Sequence, residues 1–276
     1  MRHSVVGRFL RKLGHRMFML HHRSGEPVGY SLPGRVDLKL QPRGDVAGWL
    51  WYAPFFERRQ LRFVAALLRP GMRVVDVGAN AGLYSILAGR LVGDEGQVWA
   101  LEPSSDTFSL LLENLELNAP LPVTPLRVAL GDAPKTMRLV SESGFGDAYR
   151  YVVDDSASSV QGESVWVATL DTLDAEHSLA PVDFIKLDIE GGELLALRGA
   201  RRVLESSERV VIMFESDPEW CKRSGYRREE VVELLRSLGF GIYSWSARLR
   251  RWQATAGLPG EDMLWAARDA HLLPIV

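Results

Sequence analysis

Val74-Val75-Asp76-Val77-Gly78-Ala79-Asn80-Ala81-Gly82 decides how this chain is read. Residues 72–77 are β-branched or apolar except for Arg73 and Asp76, which predicts a short strand, and 83–91 carries a helical pattern beyond a glycine-bearing turn. Gly78 and Gly82 allow backbone conformations and close approaches that a Cβ would obstruct. The helix that follows starts with unpaired N–H groups.

Downstream, the alternation continues. Strands are predicted over 97–101 and 123–130 with a helix at 106–117 between them, then at 184–187 and 209–214 around a helix at 192–204. Such βαβ alternation implies a parallel, doubly wound α/β sheet. A further helix is expected at 228–238, and 241–245 with 263–267 would supply a terminal antiparallel pair. Between the third and fourth strands, 136–140 and 165–170 read as a hairpin-like insertion around a polar stretch.

Upstream, 46–69 is expected to be helical until Pro70-Gly71 stops the run. The first 25 residues hold Arg2, Arg8, Arg11, Lys12, Arg16 and Arg23 with no acidic residue, and Val5, Phe9, Leu13 and Phe18 recur among them at helical spacing. This is a basic amphipathic helix that docks on the domain, on a second copy in a homo-oligomer, or on a membrane surface. The division expected is a helical N-terminal extension or lid over 1–69 and a ligand-binding domain over 70–276.

At 276 residues and 46% hydrophobic, the chain can bury a substantial core. A net charge of -2 and a pI near 6.3 give no global case for nucleic-acid binding. Cys221 is the single cysteine and no apolar run is long enough to cross a bilayer, so a soluble, cytoplasmic protein is expected.

The residue that discriminates between ligands is Asp76. A nicotinamide-binding turn reads G-x-G-x-x-G and sets a helix N-terminus against a pyrophosphate. Gly78-Ala79-Asn80-Ala81-Gly82 breaks that spacing, and a carboxylate beside it would repel a diphosphate. It suits a ligand carrying an ammonium and a sulfonium, as S-adenosylmethionine does. Glu102 closes the second strand, where an acidic side chain can accept both ribose hydroxyls. Asp132, after Ala129-Leu130-Gly131, is placed where an adenine amino group would lie.

With these residues in view, the sequence resembles the FkbM family of S-adenosylmethionine-dependent methyltransferases. The matching segments are residues 74–82, Glu102-Pro103 with Asn114, Ala129-Leu130-Gly131-Asp132, Thr169-Leu170-Asp171, the run Phe184-Ile185-Lys186-Leu187-Asp188-Ile189-Glu190-Gly191-Gly192-Glu193, and Leu197-Arg198-Gly199-Ala200. The resemblance implies a seven-stranded class I methyltransferase (Rossmann-like) fold. It also implies O-methylation of a hydroxylated small molecule, a polyketide, a sugar or another secondary metabolite.

Ligands gather outside the carboxyl ends of the strands in such sheets, so Asp188 and Glu190 are expected to face the methyl acceptor. Lys186 reads either as a buried partner of Asp188 or as a catalytic group. An aliphatic hydroxyl is about as weak an acid as water, with a pKa of roughly 15.7, against about 3.9 for an ordinary aspartate. Asp188 therefore takes the proton as the methyl transfers, or it holds a cation that acidifies the hydroxyl. Asp188, Glu190 and Glu215 would offer the all-oxygen ligation that Mg²⁺ prefers. The alternatives are a methyltransferase-fold binding protein without turnover, a nicotinamide dehydrogenase, or a ribose or nucleic-acid methyltransferase. The last lacks a phosphate track, and Asp217-Pro218-Glu219-Trp220 is read as a loop or helix start rather than a base-stacking motif.

Overall fold

The computed structural model describes residues 28–32, 36–40, 58–141, 150–154, 162–246, 248–255 and 263–275. In chain order these form strands β1 (Val28–Leu32) and β2 (Val36–Leu40), helix α1 (Arg58–Leu67), β3 (Arg73–Val77), α2 (Leu83–Val92), β4 (Gln97–Leu101), α3 (Ser105–Leu117), β5 (Val123–Leu126) and β6 (Ala129–Leu130). There follow β7 (Lys135–Ser141), β8 (Arg150–Asp154), β9 (Glu163–Ala168), α4 (Leu170–His177), β10 (Phe184–Leu187), α5 (Glu193–Arg198) and α6 (Arg201–Ser206). The last are β11 (Val211–Glu215), α7 (Pro218–Arg223), α8 (Arg228–Ser237), β12 (Gly241–Ser246), β13 (Arg251–Ala254) and β14 (Met263–Ala267).

The main sheet has the order β13-β12-β14-β11-β10-β3-β4-β5. Strands β11, β10, β3, β4 and β5 run parallel, and β14 enters antiparallel between β11 and β12. This is the doubly wound, mostly parallel class I methyltransferase architecture. Both faces are covered, so the strands are apolar on successive residues rather than alternating. Val75, Ile185, Ile212 and Phe214 join one core with α5, α6 and α8, while Val74, Phe184, Val211 and Met213 join another with α1 and α2.

Five details differ from the sequence expectation. The sheet has eight strands, not seven, because β13 adds an antiparallel edge through the Trp245–Trp252 pair. Its four residues carry one large apolar side chain, too little to signal a strand. The segment expected as one strand over 123–130 divides: β5 stays on the main sheet's edge, where Pro125 is tolerated, and β6 joins a second sheet of order β6-β9-β7-β8. That sheet contains the expected antiparallel pair β7–β9, with β8 supplied by the polar stretch. The helix expected over 192–204 is broken at Gly199-Ala200, where Gly199 lies so close to the Gly131 carbonyl that a Cβ would sit 2.1 Å from its oxygen.

The fifth concerns the N-terminal extension. Residues 28–32 and 36–40 are not helical: β1 and β2 pair antiparallel as a two-stranded sheet. The alternation Val36-Asp37-Leu38-Lys39-Leu40 explains it, with Val36, Leu38 and Leu40 buried on one face. Within the expected 46–69 helix, only α1 is described. The basic helix expected over the first 25 residues lies outside the described residues, as do Trp49, Trp51, Tyr52 and Phe55, aromatic residues that read as core or as the lining of an acceptor pocket.

Two asparagines fasten the hairpin to α3. Asn114 accepts from Lys39 N (2.7 Å) and donates to Lys39 O (3.0 Å) and Ala81 O (2.9 Å). Asn118 accepts from Asp37 N (3.1 Å) and donates to Asp37 O (2.6 Å). Asn114 thus ties the hairpin to the glycine turn after β3. Asn114→Ala is expected to lower stability by roughly 2–4 kcal/mol, since each backbone group stranded in a buried site costs about 1–3 kcal/mol. Urea denaturation would show it.

Candidate functional site

The turn after β3 is held from three sides. Gly78 N and Ala79 N both donate to Leu101 O, which fixes the turn against the end of β4. Gly78 (φ 74°), Asn80 (φ 50°) and Gly82 (φ 93°) occupy the left-handed region. Gly78 is required for a second reason: a Cβ there would lie 2.1 Å from the Asp188 carbonyl oxygen. The two loops that the sequence assigns to donor and acceptor therefore touch through backbone.

Asp76 is 1% exposed and stands opposite Lys186 in the parallel register of β3 and β10. Its carboxylate accepts from Ser85 Oγ at 2.6 Å and lies 3.5 Å from Lys186 Nζ. Lys186 Nζ also donates to Gly78 O at 2.8 Å, lies 3.7 Å from Asp188 and is covered by the Tyr84 ring. One buried cation thus joins both aspartates to the turn. The charge of Asp76 meets Lys186, so the carboxylate acts on the turn through that cation rather than across open space.

Glu102 is buried at the end of β4, with Oε2 accepting from Asn80 N (3.1 Å) and Oε1 from Ser104 N (3.0 Å). A carboxylate has further lone pairs for ribose hydroxyls. Asp132 is exposed on the turn between β6 and β7, 3.6 Å from Lys135.

Past β10 the loop is bent. Glu190 (φ 50°) and Gly191 (φ 96°) are both left-handed, and such backbone persists only where its surroundings hold it. The hold comes from Glu193, a buried carboxyl that sequence reasoning left without a role. Its Oε1 accepts from Ile189 N and its Oε2 from Tyr226 Oη, both at 3.1 Å. Burial is the main cause that pushes this carboxyl up to about 7. Burial, then Glu193, raises the Tyr226 hydroxyl well above its ordinary value. Behind Gly191 stand Ser224 Oγ and the Trp220 carbonyl, which leave no room for a Cβ. Glu193 was visible as the end of the Gly-Gly-Glu segment, but nothing local announces Tyr226. Cys221 is buried beside Tyr226, and burial pushes its thiol up to about 11, a value at which it is unreactive.

Asp188, Glu190 and Glu215 converge, each offering one oxygen within 4.8 Å of the others. Glu215 ends β11 beside β10, so strand order alone brings it there. Asp217 caps α7 by accepting from Glu219 N, so the Asp217-Pro218 segment is a helix start. His177, a candidate base by residue type alone, ends α4 next to Glu176. No helix among the described residues is long and apolar enough to cross a membrane.

Residues 76–242 match the sequence family described as the methyltransferase FkbM domain. A hexuronic acid methyltransferase of Haloferax volcanii, AglP, is 27% identical over 137 residues, which is 50% of this chain and 53% of that protein. The chain thus spans about half the length of that relative. Among solved structures, a precorrin-6y C5,15-methyltransferase from Geobacter metallireducens aligns at 15% identity with a TM-score of 0.41, covering 76% of this chain and 84% of that one. A SAM-dependent O-methyltransferase from Thermotoga maritima aligns at 15% identity and a TM-score of 0.40, covering 75% and 64%.

Proposed function

Because the chain belongs to the FkbM methyltransferase family, we propose that it transfers the methyl group of S-adenosylmethionine to a hydroxyl of a small molecule, a sugar or other polyhydroxylated metabolite. The observation that carries this reading is the contact between the Gly78 turn and the Asp188 loop, with Lys186 bonded to both. It supports a reading in which the turn binds the nucleoside and the Asp188 loop accepts the proton, both within reach of one methyl group. Gly78 to Gly82 and Glu102 bind the donor, with Glu102 on the ribose. Asp132 is assigned to the adenine edge. Asp76 and Lys186 hold the turn from beneath.

Methyl transfer from a sulfonium is an in-line displacement: the acceptor oxygen bonds to the methyl carbon as the carbon–sulfur bond breaks, and S-adenosylhomocysteine leaves neutral at sulfur. The hydroxyl proton must go to a base, and Asp188 is the half-exposed carboxylate at the right strand end. Holding the acceptor at near-attack distance supplies roughly 7–11 kcal/mol of barrier lowering. Asp188→Asn is expected to lower kcat by about 10²–10⁴-fold while donor affinity changes little. Calorimetry with S-adenosylmethionine, and mass spectrometry for a single added methyl on a panel of sugars and polyols, separate the two. Donor binding without methylation of any hydroxyl would retire the reaction.

The three converging carboxylates favour a second reading. Asp188, Glu190 and Glu215 form an oxygen-only donor set that fits a hard divalent cation such as Mg²⁺. Such a cation, when bound, lowers the pKa of the acceptor hydroxyl. EDTA is then expected to cut turnover at least ~10-fold, with recovery on added Mg²⁺ and no change in donor affinity. Unchanged turnover in EDTA leaves Asp188 alone as the base.

A further inference from the structure

The β12–β13 turn carries Arg248, Leu249, Arg250 and Arg251, all exposed, with Leu249 at 48%. Both β11 and β12 run antiparallel to β14, so β12 ends at the same edge of the sheet as the Glu215 end of β11. One strand separates them, about 10 Å at two strand spacings. The arginine turn therefore stands on the rim of the candidate site. Helix α1 runs down to the start of β3, so its first turns, with exposed Arg58, Arg59 and Arg62, belong to the same edge. Phe63 fixes α1 there by packing on Trp245 (5.1 Å) and Trp252 (4.8 Å), the residues flanking the turn. Neither 58–75 nor 241–255 contains an acidic residue, in a chain whose net charge is -2.

We infer that this rim docks on the anionic surface of a lipid bilayer and turns the mouth of the site toward the headgroups. An exposed leucine among three arginines matches an interface that is apolar just beneath a negative layer. A nucleic acid fits less well, because a phosphate backbone offers no apolar layer to exposed Leu249, whereas the acyl boundary beneath lipid headgroups does. The first 25 residues, with six basic and no acidic side chains, carry the same sign of charge. Docking stands on these charges and on Leu249, whatever reaction the site performs. What it adds, an acceptor hydroxyl on a membrane-anchored molecule, rests on the methyl-transfer reading above.

The test is co-sedimentation of the full chain with phosphatidylcholine vesicles, with and without ~30% phosphatidylglycerol. Binding is expected only to the anionic vesicles and is lost near ~1 M salt. The combined Arg248→Glu, Arg250→Glu and Arg251→Glu variant should bind them at least ~100-fold more weakly, at about 5-fold per arginine removed. Leu249→Asp should weaken binding as well, and all variants should keep wild-type affinity for S-adenosylmethionine. Docking is overturned by wild-type protein that ignores anionic vesicles at low salt, by a triple variant that binds like wild type, or by binding to duplex DNA but not to vesicles. Loss of S-adenosylmethionine binding by wild type would sink the methyl-transfer reading and leave the vesicle result standing.

Discussion

Gly78→Ala is expected to yield a folded protein with no measurable methyl transfer and donor affinity weakened at least ~100-fold. The added Cβ would lie 2.1 Å from the Asp188 carbonyl oxygen and 3.1 Å from the Ile189 side chain, so the two loops must separate. The left-handed φ of 74° adds roughly 1–2 kcal/mol for any residue with a Cβ. Separation also pulls Gly78 O away from Lys186, which leaves the buried ammonium between two carboxylates with one bond fewer. Gly71→Ala is the control. Its φ is 84°, but a Cβ there would meet nothing within 4 Å. That variant should lose some stability and keep its activity. Calorimetry and a methylation assay on the pair distinguish contact from conformation, and an active Gly78→Ala enzyme would show that the loops need not touch.

A second large effect is expected at Glu193. In the native protein this carboxyl keeps its proton up to about pH 7, whereas its ordinary value is 4.5. Between those values the native state binds more protons than the unfolded chain, so stability must fall as pH rises. The contribution is fully present below 4.5 and is lost above 7. A shift of this size corresponds to about 3 kcal/mol. Glu193→Gln keeps an acceptor for Ile189 N and a partner for Tyr226 while removing the titration. It is expected to be more stable than wild type at pH 8 by roughly that amount, with the advantage disappearing toward pH 4.5. Urea melts across this window measure it. Equal pH dependence in the two proteins would mean that the carboxyl is ionised in place.

What could be read in advance divides by range. Asp76, Gly78, Asn80 and Gly82 lie within seven residues and obey local backbone rules, so their turn was legible. Strand alternation placed Glu102, Asp188 and Glu215 at carboxyl ends, and parallel register then brought two of them together. The pairing of Lys186 was half legible: Asp188 was expected, while Asp76 required knowing that β10 lies beside β3. The Glu193–Tyr226 bond was hidden, because neither residue type at that spacing signals contact. Short or polar-faced strands such as β8 and β13 were missed because they take their order from neighbours rather than from their own composition. The hairpin at 28–40 did carry a two-residue alternation, masked by the helical patterns on either side.

The pairing of Asp76 with Lys186 also has a temporal side. Val77 and Lys186 are 109 positions apart. At ordinary rates of translation, roughly 5–20 residues per second, the ribosome delivers β10 about 5–20 s after β3. Until then β3, β4 and β5 can associate with α2 and α3, but the Asp76 carboxylate has no cation to close against and stays hydrated. The nascent chain therefore carries the residues of the glycine turn before it carries the cation that fixes them. The turn is braced only when that lysine enters the middle of the sheet.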